Sequence, residues 1–134
     1  MENNIKCTKE LQLLLFTIDE TCYGVDADQV AGLQNYRCDA HTLAVHILLA
    51  CDPISYAFPR MLAVKDRETY PAILINEPED IIAIPVVDIR PIPSLLKKTA
   101  KQYGVWGVSL KEQRMIVLLD FYKNERFCQS GSSC

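Results

Sequence analysis

Leu11–Ile18, LQLLLFTI, is an apolar run that stops at Asp19-Glu20-Thr21. Its length is that of a buried strand rather than of a helix. Asp19-Glu20-Thr21 reads as a hairpin turn and Cys22–Val25 as the returning strand. Asp26 can cap a short helix over Ala27–Leu33, which puts Val30 and Leu33, three apart, on one face. Val30 lies five residues beyond Val25, so the strand end and the helix share a pocket.

Outward from this hairpin the pattern is β-rich. Met61–Val64 and Pro71–Ile75 read as strands across the charged turn Lys65–Thr69, and Asp80–Ile84 follows the turn Glu77-Pro78-Glu79. Pro85, Pro91 and Pro93 argue against central-strand pairing around Val86–Ile92. Ser94–Lys101 predicts one or two helical turns. Tyr103–Leu110 and Met115–Phe121 predict a closing hairpin across Lys111-Glu112-Gln113. In the middle, Asn35–Ala40 reads as a loop and Thr42–Cys51, TLAVHILLAC, as a helix ended by Asp52-Pro53. Short strands with tight turns, plus short helices, predict a mainly β fold of small barrels. Residues 1–126 read as a single domain and 127–134 as a disordered tail.

Composition narrows the function. The 134 residues are 49% apolar and 23% charged, enough for one real core, and the net charge is −3. Nucleic acid is not expected as a partner, because phosphate recognition wants a basic surface. The polar opening Met1-Glu2-Asn3-Asn4 does not read as a signal peptide. No apolar stretch is long enough to span a bilayer, so the expectation is a cytoplasmic protein with no direct membrane insertion. Six cysteines, at 7, 22, 38, 51, 128 and 134, show no Cys-x-x-Cys spacing. In a reducing compartment they read as free thiols.

The chemistry of an enzyme is missing. His41 and His46 are five apart, a poor spacing for shared ligation. Cys38 or Cys51 with His46 could form a nucleophile pair, but no third group orients it. Gly24, Gly32, Gly104 and Gly107 stand alone and make no phosphate loop. Glu77, Glu79 and Asp80 fall in a turn and read as solvated carboxylates. No catalytic residue, metal site or cofactor is expected.

Two blocks carry a resemblance. Leu14–Leu33, LLFTIDETCYGVDADQVAGL, has Phe16, Tyr23, Gly24, Val25, Val30 and Leu33 in one characteristic order. Ala72–Tyr122 contains Ile89-Arg90-Pro91-Ile92-Pro93, then a Gly-containing strand and a last Leu-Asp strand. Together they resemble the CheW-like adaptor domain of bacterial chemotaxis systems, over about half of the chain. The resemblance implies a pair of small SH3-like β-barrels, intertwined and five-stranded. It also implies a non-enzymatic signalling adaptor that links a chemoreceptor cytoplasmic tip to the regulatory domain of a CheA-like histidine kinase. Its apolar groove places Val25, Val30 and Leu33 as partner contacts, with no catalytic group among them. Residues 34–60 depart from the family, for they lack its Asn-Leu-Arg-Gly turn. The first barrel is therefore expected to be reduced, with Thr42–Cys51 in place of missing strands.

The same residues have a direct physical reading. Pro91 and Pro93 stiffen a connection. Arg90 just before them can hold that crossing, through carbonyls or Asp88, or contact a partner. Gly24 and Gly107 permit close backbone approach. Trp106, the only tryptophan, reads as a core or seam anchor. A reduced barrel leaves strand edges open, so a homodimer through the middle segment is also an expectation.

Overall fold

The computed structural model describes residues 9–37, 42–65 and 72–131, the side chains of 129–131 excepted. Strand β1 (Glu10–Ile18) turns at Asp19-Glu20 into β2 (Thr21–Asp26). Asp19 takes a left-handed φ of 53°, which a short polar residue tolerates. The Asp26 carboxylate accepts the Asp28 N–H at 2.9 Å and caps a 3-10 turn at Ala27–Gln29. Then come β3 (Val30–Asn35), β4 (Thr42–Ala44), helix α1 (Val45–Leu48), β5 (Pro59–Val64), β6 (Ala72–Asn76) and β7 (Asp80–Pro85). Helix α2 (Lys97–Gln102) precedes β8 (Val105–Lys111) and β9 (Arg114–Leu119), and α3 (Glu125–Gly131) follows. Glu112 and Gln113 make the β8–β9 turn with φ of 54° and 68°. Positive φ at both positions of a two-residue turn matches the twist of a hairpin.

The strands form two curled sheets, five-stranded β7-β1-β2-β9-β8 and four-stranded β3-β5-β6-β4. All neighbours are antiparallel except β2–β9 and β4–β6, which are parallel. After β7 the chain crosses over, and Arg90 bridges Val108 of β8 at the far edge of the five-stranded sheet. A Cβ on Gly107 would stand 3.0 Å from Ile89 Cγ2 and 3.1 Å from the Arg90 carbonyl oxygen. The absent side chain lets the crossing seat there, as the sequence predicted.

β1 explains why its sequence is apolar at consecutive positions. Leu13 and Leu15 point into the five-stranded sheet with Cys22, Ile84, Ile116 and Leu118. Leu14, Phe16 and Ile18 point the other way, into a larger core shared with Val25, α1, β5, β6 and Phe121. Alternate residues thus serve two cores. Each fully buried side chain of this size contributes about 1.5–3 kcal/mol.

Four expectations need correction. Ala27–Leu33 is one 3-10 turn followed by strand, not a helix. Thr42–Cys51 is a three-residue strand followed by a four-residue helix rather than one helix, and the sheet it joins has four strands rather than five among the described residues. The disordered tail assigned to 127–134 is overturned through Gly131. Asn124 Oδ1 accepts the Phe127 N–H at 3.0 Å, α3 forms, and Phe127 is fully buried. Trp106 is a partly exposed side chain rather than a core anchor.

Candidate functional site

The start of β3 is clamped between the two sheets. Gln29 Nε2 donates to Asp120 Oδ1 at 2.8 Å, and its Oε1 accepts the Phe121 N–H at 3.3 Å. The Gln29 carbonyl accepts the Lys65 N–H at 2.7 Å, and the Tyr122 hydroxyl donates to the Lys65 carbonyl at 2.7 Å. Deeper in, buried Asn124 donates to the Leu48 and Tyr103 carbonyls, both at 2.9 Å. These polar groups fix α1, the end of α2 and the last strand to one another. One sign of this seam is readable in the sequence: Asn124-Glu125 is a helix-start pattern, and it points to α3.

On that clamp β3 carries a half-buried aliphatic stripe. Val30 pairs with Val64, Gly32 with Ala63 and Leu33 with Leu62, so Ala31 is the extra residue of a bulge. Val64 and Leu62 are two apart and share a face, and the bulge puts Val30 and Leu33 on that same face. Both pack on the larger core without being closed off by it. β3 is the last strand of its sheet order. An edge strand with apolar side chains can take a partner's strand or helix.

The other expected contacts fall elsewhere. Val25 has no exposed surface and is a core residue that supports the stripe. Arg90 is exposed on the bridge to β8, apart from Val30 and Leu33. Its backbone holds the crossing by exchanging hydrogen bonds with Val108. Its guanidinium has no partner among the described residues, Asp88 included.

Among the described residues, Cys51 and His46 do not pair through their side chains. His46 Nδ1 lies 2.8 Å from the Tyr56 hydroxyl. The Cys51 thiol turns to the Leu49 carbonyl at 3.8 Å and to Tyr23. Burial first, and then Cys51, push the Tyr23 hydroxyl up to about 12. Cys38 and His41 lie outside the described residues. The acidic turn is an ion-pair site. Arg60 holds Glu77 at 3.0 Å, and Arg114 grips Glu79 with two nitrogens at 2.8 and 2.9 Å. The Thr17 hydroxyl also donates to Glu79. These donors, Arg114 first, hold the Glu79 carboxyl below the usual carboxylate range. Among the described residues no cluster of His, Cys, Asp and Glu could hold a metal, and no helix is long and apolar enough to cross a membrane.

By sequence, the chain matches no protein-family model and no curated protein. By structure, it superimposes on the scaffolding protein TtCheW from Thermoanaerobacter tengcongensis with a TM-score of 0.66. The alignment covers 84% of this chain and 90% of that one, at 14% identity.

The chain has a CheW-like fold.

In this CheW-like fold the four-stranded sheet is built from the consecutive strands β3 to β6, which fall between β2 and β7 of the five-stranded sheet. The four-stranded sheet is the one holding the divergent residues 34–60.

Proposed function

We propose that this chain is a non-enzymatic signalling adaptor of the chemotaxis-coupling kind, working in the cytoplasm by holding protein partners together. The observation that carries this reading is the likeness to a scaffolding protein over nearly the whole of both chains. The β3 stripe fits the role. Val30 and Leu33 offer aliphatic anchors for a receptor-tip helix, on a strand held by Gln29 and Asp120. The exposed, unpaired guanidinium of Arg90 offers a second contact, to a carboxylate of a kinase regulatory domain.

The test is binding of the purified chain to a receptor signalling tip and to the regulatory domain of a CheA-like kinase, by calorimetry. Binding to one or both supports the adaptor. Binding to neither counts heavily against it.

One observation favours a second reading. β4 has only three residues and the four-stranded sheet ends on it. A surface changed in that way suits a stand-alone interaction module with another partner or a second copy of the chain. Binding of an unrelated protein, abolished by substitutions within residues 34–59, would move the assignment to this reading.

A further inference from the structure

Behind the Arg90 crossing, Pro91 and Ile92 line a pocket of about 210 Å³ together with Val105 and Trp106. Gly104 supplies bare backbone to its wall. Its φ is +79°, and a Cβ there would stand 2.4 Å from the Asp120 carbonyl oxygen. The Gly104 carbonyl accepts the Asp120 N–H at 2.8 Å, which fixes that wall to the end of β9. The pocket is therefore built into the barrel rather than formed by loose side chains.

Its rim is cationic. Lys97 and Lys101 come from α2, and Lys123 from the 3-10 turn after β9. None of the three makes an ion pair among the described residues. The nearby carboxylate of Asp120 is already taken by Gln29 Nε2 and the Tyr122 N–H. α2, KKTAKQ, has no acidic residue at all. A chain of net charge −3 has thus gathered unbalanced ammonium groups around one apolar floor.

A complementary ligand has an apolar body and negative charge around it. The volume admits one large side chain. Between the lining residues Ile92 and Lys97 the chain also exposes Leu95, by 94%, and Leu96, by 57%, in the turn that leads into α2. Only a longer ligand covers both the pocket and those leucines.

We infer that this pocket binds an acidic segment of a partner protein, which inserts one large aliphatic or aromatic side chain against Ile92 and Trp106 and sets carboxylates against Lys97, Lys101 and Lys123. The lining strand β8 belongs to the five-stranded sheet and β3 to the other, and neither Val30 nor Leu33 lines the pocket, so the site stands whether or not the adaptor reading above is right.

Trp106 is the only tryptophan and is 42% exposed, so its emission reports occupancy of the pocket. The probe is the synthetic peptide Glu-Glu-Asp-Phe-Leu-Glu-Asp-Glu, titrated into the full chain. A saturable blue shift is expected, weakening as salt is raised. The pair Lys97→Glu and Lys101→Glu, both exposed, should lower affinity about tenfold or more while leaving thermal unfolding unchanged. A peptide with Ala in place of Phe-Leu should lose a similar factor. Three results would overturn the inference: no saturable shift, equal binding of the Ala peptide, or full affinity in the charge-reversed chain. A shift that follows protein concentration without peptide, with dimers in sedimentation equilibrium, would also overturn it and assign the pocket to a second copy.

Discussion

Arg90 and Val108 exchange both backbone hydrogen bonds, at 2.8 and 2.9 Å, although the strand before Arg90 and the strand holding Val108 stand at opposite ends of the sheet order. That bridge turns an open five-stranded sheet into a barrel. Gly107 makes room for it. Gly107→Ala should therefore cost about 1–3 kcal/mol by overpacking against Ile89 and the Arg90 carbonyl. Urea unfolding measures it, and a midpoint equal to the parent's would show that the crossing relaxes freely.

Phe127→Ala should cost about 3–5 kcal/mol, as for a large side chain removed from a core. Asn124→Ala should also destabilise strongly, because it strands the Leu48 and Tyr103 carbonyls and uncaps α3. Unfolding by heat distinguishes this from a disordered tail, in which Phe127→Ala would change nothing.

How far the sequence reveals this structure depends on how regular each element is. β1 is legible because both its faces are buried, which leaves an apolar run with no helix period. The closing hairpin is legible because two apolar runs flank the short polar turn at Glu112-Gln113. β3 misleads, because a bulge at Ala31 gives Val30 and Leu33 the three-residue spacing of a helix face. Thr42–Cys51 changes from strand to helix after three residues, so neither period repeats. The small polar residues that close the sequence draw attention away from one buried anchor of α3, Phe127. Of the expected contacts, Val25 and Val30 read alike in sequence, since a core residue and a groove wall share a composition. The lysine-rimmed pocket draws on α2, β8 and the turn after β9, and no local pattern joins them.

Glu79 gives stability a pH dependence of known sign. Its carboxyl titrates lower in the folded chain than in the unfolded one, where the ordinary value is 4.5. The folded state then binds fewer protons, so the contribution is present above that value and is lost as pH falls through the lowered one. Melting curves of the parent and of Glu79→Gln should differ at neutral pH and converge in acid. A gap that persists in acid would mean that Glu79 acts through packing.

Cys22 should be inert in the folded chain. Burial pushes its thiol up, which outweighs the opposing pull of Arg114, and its side chain is closed within the five-stranded sheet. In a variant with every other cysteine changed to serine, disulfide-exchange reagents should react only at the rate of unfolding. Rapid modification under native conditions would require an opening between the strands around it.

Val30→Lys should weaken partner binding more than it lowers the melting temperature, since the side chain is only half buried on an edge strand. Calorimetry and thermal unfolding on the same variant decide this. Losses of equal size would mark Val30 as a core residue like Val25.

Residues 22–25 of β2 lie in parallel beside 116–119 of β9. During synthesis the first hairpin leaves the ribosome with its aliphatic flanks uncovered, and it waits while β3 to β8 are made. Only when β9 emerges can the sheet close. Nascent chains stalled before Arg114 therefore present a sticky hairpin to chaperones and proteases, and cellular quality control has a long window in which to act on them.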